Sequence, residues 1–225
     1  MKQSSGRKKM ILRLSLIFCG LILLNNSSRA IQTSGYIINA KSDTIHGVIQ
    51  LSRFDQVTGG FILNGIEMAS FHTKVTFKSN SEKRFKTYFP EMIMGFGFRY
   101  KSTNYFFRQF TVNHQSILAS ESQQNRFLCL IYKGSFELYR DITFGVNPYT
   151  FRDEQFLTIS DNFIYSGSKG LLKVEKNSKF KSLRDLFIHA EADVRFTHTI
   201  PENLRFTDIY SLLIIYDRWL SIKRD

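Results

Sequence analysis

Cysteine, proline and tryptophan are scarce in this 225-residue chain, which has two, three and one of them. Cys19 lies in an N-terminal apolar run, so Cys129 is the only thiol beyond it and no intramolecular disulfide can form there. Placed between Leu128 and Leu130 in an apolar arm, Cys129 has the setting of a buried, inert thiol; a catalytic thiolate needs an accessible, electropositive one. No internal repeat or low-complexity tract is present. The longest uncharged apolar run, Leu14 to Leu24, falls short of the roughly 18 residues of a membrane-spanning helix.

The usual signatures of chemistry are also missing. No G-x-S-x-G elbow presents a serine. The histidines His46, His72, His114, His189 and His198 include no pair at the i, i+4 spacing of a zinc-protease helix. His189-Ala190-Glu191 matches half of a zinc-deaminase signature, without its Pro-Cys-x-x-Cys partner. Gly167-Ser168-Lys169-Gly170 lacks the spacing and the following Ser/Thr of a phosphate loop, and Gly95-Phe96-Gly97 lacks the third glycine of a dinucleotide fingerprint. Nothing in the sequence calls for a cofactor, and no nucleic-acid-binding pattern is present.

What is present begins with an export signal over residues 1–30. Lys2, Arg7, Lys8, Lys9 and Arg13 precede the apolar run, and Ser28-Arg29-Ala30 offers small residues where a signal peptidase reads. The mature chain is then expected to start at Ile31, in the periplasm, at the outer-membrane periphery or outside the cell, with membrane contact only through the signal. Cys19 follows Phe18 and is followed by more apolar residues, which disfavours lipidation.

Removing the six Lys and Arg of residues 1–30 from the 31 of the whole chain leaves 25 against 19 acidic residues, so the net charge falls from +12 to +6. The densest remaining cluster is Lys169, Lys173, Lys176, Lys179 and Lys181, interrupted by Glu175. A solvated turn and helix start accounts for it most simply; an anionic-surface binder is the other reading.

With 22 Phe and 10 Tyr and 43% hydrophobic content, the chain can bury a core and leans toward sheet. The spacing predicts an α+β fold: a mostly antiparallel sheet or partial barrel built from hairpins over 31–176, and two C-terminal helices packed on it over 177–225. The central hairpin runs from Arg126 to Arg140 around Lys133-Gly134. Alternation puts Leu128, Leu130 and Tyr132 on one covered face, Phe127, Cys129 and Ile131 on the other, and Glu137 and Tyr139 on a wet face of the second arm. A first hairpin joins Gly35–Ile38 to Thr44–Leu51. Phe54 to Met68 is rich in breakers, His72 to Lys78 alternates as a strand, and Phe85 to Tyr88 makes another. Pro90 to Gly95 fits one helical turn, and Phe96 to Tyr100 and Tyr105 to Val112 are strands. Ser116 to Asn125 reads as a polar loop. Gly145 to Pro148 breaks the chain, Gln155 to Ile159, Asn162 to Tyr165 and Leu171 to Val174 are strands, and from Ser178 the period becomes helical. Phe180, Leu183, Leu186, Phe187 and Ala190 form one stripe. Ile209, Leu212, Leu213, Tyr216 and Leu220 form another behind a Thr207 cap, with Pro201 between them and Ile214, Ile215 and Trp219 widening the apolar surface of the last helix.

In order along the chain stand G-Y-I-I-N-x-x-x-D-T-I-x-G-x-I from Gly35, Y-F-P-E-M-I-x-G-F from Tyr88, F-L-x-L-x-x-x-G-x-x-x-L-Y from Phe127 and D-I-Y-S-L-L-I-I-Y-D from Asp208. This series resembles a broad group of exported, uncharacterised proteins from Bacteroidota genomes. The resemblance implies export to the cell envelope and a shared fold, and brings no activity or catalytic residues.

The favoured expectation is a non-enzymatic envelope module that binds a protein or an apolar ligand on the sheet or between sheet and helices. Aromatic runs such as Tyr105-Phe106-Phe107 and Phe96-Gly97-Phe98 could line its groove, although core packing is their simpler use. A hydrolase-type enzyme assembled from distant residues is the alternative, with Asp43 and Asp141 more simply turn carboxylates than acids or bases. If the chain folds back near its end, His189, Glu191, Asp193 and His198 could form a metal site, against the plainer reading of a surface helix end.

Overall fold

The computed structural model describes residues 31–51, 68–116, 119–146, 156–175 and 179–224. The expected export signal over 1–30, nearly all of the breaker-rich stretch from Phe54, the Asn147-Pro148 break and Lys176 lie outside the described residues, as does the expected junction between sheet and helices.

Among the described residues ten antiparallel strands form one open sheet. They are β1 (Ile31–Asn39), β2 (Thr44–Leu51), β3 (Val75–Ser79), β4 (Lys86–Tyr88), β5 (Ile93–Tyr100), β6 (Thr103–Ser116), β7 (Ala119–Lys133), β8 (Glu137–Val146), β9 (Phe156–Ser166) and β10 (Gly170–Lys173). Their order across the sheet is β10-β9-β8-β7-β6-β5-β1-β2-β3-β4, so every pairing except β1 with β5 joins neighbours in sequence. The sheet is open, which decides between the sheet and partial-barrel forms of the α+β expectation.

Helix α1 (Met68–Phe71) lies on one face of this sheet, where Phe71 packs against Phe96, Phe98 and Phe107. These rings belong to a core with Ile37, Ile49, Phe77, Phe127 and Cys129. Farther along the same face, α2 (Leu183–His189), α3 (Val194–Thr197) and α4 (Ile209–Arg224) pack on Phe136, Leu138, Ile164 and Leu172. Ile131 touches both cores and makes them continuous. The opposite face carries a smaller cluster of Val112, Leu128, Tyr139 and Phe163.

Several local readings are corrected. Ser116 to Asn125 is not a loop: β7 starts at Ala119, and polar residues such as Gln123 and Gln124 pair with Asn113 and Val112 of β6. Pairing sets a strand where side-chain polarity alone suggests a loop. The two strands expected between Gln155 and Tyr165 are one, β9. Pro90 opens a turn rather than a helix, since β5 starts at Ile93 and Gly95 pairs with Arg108. His72, Thr73 and Lys74 form the turn after α1; only from Val75 does the strand begin. A bulge between Leu130 and Tyr132 moves Tyr132 to the face of Cys129, opposite Leu138. Tyr139, expected on a wet face, is fully buried.

At the C-terminal end the stripes of Leu183, Leu186 and Phe187 and of Ile209, Leu212, Leu213 and Tyr216 are buried as expected. The first helix is shorter than its periodicity, because Ser182 caps it with Asp185 in a capping box and α3 follows as a separate turn. Thr207 is not the cap of the last helix. A 3₁₀ turn, Phe206–Asp208, leads into α4, and the Asp208 carboxylate accepts from the Arg205 N–H at 3.1 Å. Ile214 and Ile215 face solvent, Ile215 with 55% of its surface exposed, so α4 buries one stripe and not most of its circumference. Among the described residues no helix is long and apolar enough to cross a membrane.

Candidate functional site: an outer groove and a sealed histidine

Two places gather polar side chains from distant parts of the chain. The first is on the outer face of β1, β2, β5 and β6, where the strand registers set side chains in rows across the sheet. Phe106 pairs with Gly97, Gly97 with Tyr36, and Tyr36 with His46. Two residues along, Asn104 pairs with Arg99, and Ser34 with Val48. Over these rows lies a groove of about 620 Å³, lined by Ser34, Tyr36, His46, Arg99, Asn104 and Phe106 among others. Crossing from β6 to β2 at roughly 4.8 Å per strand, it runs about 14 Å across the sheet.

Gly97 lies beneath the floor and lets Tyr36 settle there. A Cβ there would lie 2.6 Å from the Tyr36 Cζ and hydroxyl, so the tyrosine end rests directly on the backbone of β5. The Tyr36 ring is tilted at 56° to His46, and burial holds its hydroxyl above the ordinary tyrosine value, keeping it a neutral donor. Asn80 closes one end, its N–H donating to the His46 carbonyl at 3.2 Å. Among the described residues lining the groove, Arg99 alone carries a fixed charge, and no carboxylate faces it. The aromatic runs singled out from the sequence thus divide by strand face: Phe96, Phe98 and Phe107 fill the core on the other face with Tyr105 stacked on Phe98, while the Phe106 side chain lines the groove.

The second place is where the sheet splits. The pairing of β7 with β8 ends at Cys129 and Arg140, and beyond it His72 fills the gap. The Phe127 N–H donates to the His72 carbonyl at 3.0 Å, and the His72 Nδ1–H donates to the Phe127 carbonyl at 2.6 Å. Asp141 Oδ1 lies 3.2 Å from the same nitrogen and accepts from Arg126 Nη2 at 2.8 Å, while Arg126 Nε stands 2.7 Å from Oδ2 as an ion pair without hydrogen-bond alignment. Burial is the largest influence on His72 and lowers its pKa to about 4; the Asp141 charge pulls it up and does not prevail. The ring is therefore neutral at pH 7 with its proton on Nδ1, and Nε2 has no hydrogen-bond partner among the described residues. His72 is fully buried and Asp141 3% exposed. Asp141 is thus a clamp within β8 and not a turn carboxylate, a role that sequence spacing could not show because its partners lie 15 and 69 positions away.

The residues proposed from sequence are scattered by comparison. Lys169 pairs with Glu191 at 2.7 Å, and Lys173 with Glu175 and Asp161 at 2.9 and 3.3 Å. Lys179 lies over the Phe180 ring, and the Lys181 N–H donates to Asp185 at the start of α2. Two of these lysines are therefore neutralised by carboxylates. Asp193 caps α3 and pairs with Lys223 at 2.5 Å, His189 packs on Phe180, and His198 closes α3. Among the described residues no three His, Cys, Asp or Glu side chains gather as a metal site. The Cys129 thiol is pushed up to about 12, chiefly by burial.

Fold and groove together define an open antiparallel sheet with one face covered by helices and the other hollowed. Comparison with family models, curated proteins and solved structures finds no match for this chain.

Proposed function

We propose that the chain is an exported cell-envelope protein acting as a non-enzymatic binding module, with the outer groove as its binding surface. The observation that carries this reading is the Tyr36 ring seated on Gly97 between Phe106, Arg99 and His46, a concave surface of ligand-sized volume with mixed aromatic and hydrogen-bonding walls. Export rests on the basic, apolar and small-residue pattern of residues 1–30, and the resemblance to exported Bacteroidota proteins supports the same compartment. Ile31 is already paired with Leu51, so cleavage after Ala30 would leave the whole of β1 in place.

Intact mass of the protein from its native host should match a chain beginning at Ile31 in an envelope fraction; Met1 retained in the cytoplasm would sink the export reading. Native mass spectrometry of the same material should show a bound small molecule that Tyr36→Ala and Phe106→Ala release at unchanged melting temperature. Retention by both variants would move the binding surface elsewhere.

The hydrolase alternative draws on His72 and Asp141, whose carboxylate-oriented ring with a free Nε2 has the form of a base and its orienting acid. Their near-complete burial favours a structural role. Ester hydrolysis by the purified protein that vanished in a folded His72→Gln variant would reverse that preference.

A further inference from the structure

Resting on the groove as the binding surface, we propose that its ligand is an organic monoanion, a carboxylate on an aromatic body, with Arg99 as the anchor for the charge. The sign comes from the lining. Arg99 is exposed, has no ion pair among the described residues and faces no carboxylate. A guanidinium presents a planar fork that matches the two oxygens of a carboxylate. One fixed positive charge balances one negative charge, which selects a carboxylate over a doubly charged phosphate ester.

The body of the ligand follows from the neighbouring row. Arg99 stands beside Asn104 and two residues along β5 from Gly97, where the Tyr36 ring makes the floor and Phe106 the wall. In this assignment the aromatic body of the ligand lies on Tyr36 beside Phe106, with its carboxylate over Arg99. His46 and Asn80, across β1, are placed to hydrogen-bond polar substituents at the far end.

The test is a titration of the ¹⁵N-labelled protein, followed by amide shifts, with phenylacetate, its neutral isostere phenylacetamide and phenyl phosphate. Phenylacetate should move Gly97, Tyr36, Arg99 and Phe106 and bind about tenfold more tightly than the amide, the size expected of a charge-assisted hydrogen bond. In Arg99→Gln, with its melting temperature checked against wild type, that preference should vanish. Equal binding of acid and amide by the wild type would overturn the anion assignment and leave the groove as a binding surface. Tighter binding of phenyl phosphate would overturn the choice of carboxylate. Shifts outside the groove, or none with any of the three, would overturn this inference and the groove reading together.

Discussion

Asp217 of α4 occupies the space that a side chain at Gly134 would need. A Cβ at Gly134 collides with Asp217 Oδ2, because the carboxylate is drawn into the β7–β8 turn by the Tyr132 hydroxyl and by the Ser135 N–H at 3.0 Å. Burial alone would raise the Asp217 carboxyl, and these hydrogen bonds outweigh it, holding the group below its ordinary value. The last helix is thereby pinned to the hairpin at the centre of the sheet. Gly134 is not among the glycines with positive φ, so it serves close approach and not backbone freedom.

Gly134→Ala should therefore destabilise the protein by about 1–3 kcal/mol through overpacking. In an Asp217→Ala background the same substitution should cost much less. A double-mutant cycle from urea unfolding measures the difference. Equal costs in both backgrounds would show that the glycine answers to something other than Asp217.

The parts of this fold that were legible in the sequence are those whose side-chain pattern matches their burial. Thr44 to Leu51 could be read because its burial follows the strand period, and the arm from Phe127 to Cys129 because its unbroken apolar run is buried on both faces. Ser116 to Asn125 could not, since its strand is held by backbone pairing with β6 and its polar side chains look like a loop. The bulge near Ile131 likewise reverses Tyr132 without any change in residue type. The groove was half legible. Gly97 between Phe96 and Phe98 marks a close approach in an aromatic strand, but the ring that approaches is Tyr36, brought there by the non-sequential pairing of β1 with β5. The His72 clamp depends in the same way on a sheet that splits.

His72 should make stability depend on pH. Its value falls from 6.5 to about 4 on folding, mainly through burial. Between those limits the unfolded chain takes up a proton that the folded protein refuses, so stability falls as pH falls, by about 3 kcal/mol at the lower limit. His72→Gln lacks this linkage. Urea midpoints at pH 7, 5.5 and 4 should converge between wild type and variant as the pH drops. A constant gap would mean that the folded state holds the imidazolium.

Leu128 and Leu130 share a face by alternation and differ in burial. Leu128 is sealed beside Tyr139 and Val112, whereas Leu130 is only partly buried at the edge of the same cluster. Leu128→Ala should cost roughly 2–5 kcal/mol, because it leaves a cavity as well as losing transfer energy. Leu130→Ala should cost distinctly less, and Lys133→Ala, at the exposed turn, almost nothing. Matching midpoint shifts for the two leucine variants would place Leu130 deeper in the core than its exposure indicates.

The helix from Ile209 to Arg224 should be inseparable from the sheet. It buries Ile209, Leu212, Leu213 and Tyr216 against the core, and Tyr216 stacks on Phe136 at the turn of the central hairpin with ring centroids 5.4 Å apart. Burying each such side chain contributes roughly 1.5–3 kcal/mol, so losing the set is comparable with the 5–15 kcal/mol that holds a typical domain together. Truncation before Thr207 also removes Asp217 from Tyr132 and Ser135 and uncovers Leu138, Phe187 and Phe196. Alone, a helix of this length is marginal in water, so sheet and helix each need the other. The truncated protein should be insoluble or should lose its cooperative melting transition while keeping far-ultraviolet strand signal. A soluble truncated protein with a sharp transition near that of the full chain would instead make this helix a peripheral element, docked on a sheet that is complete without it.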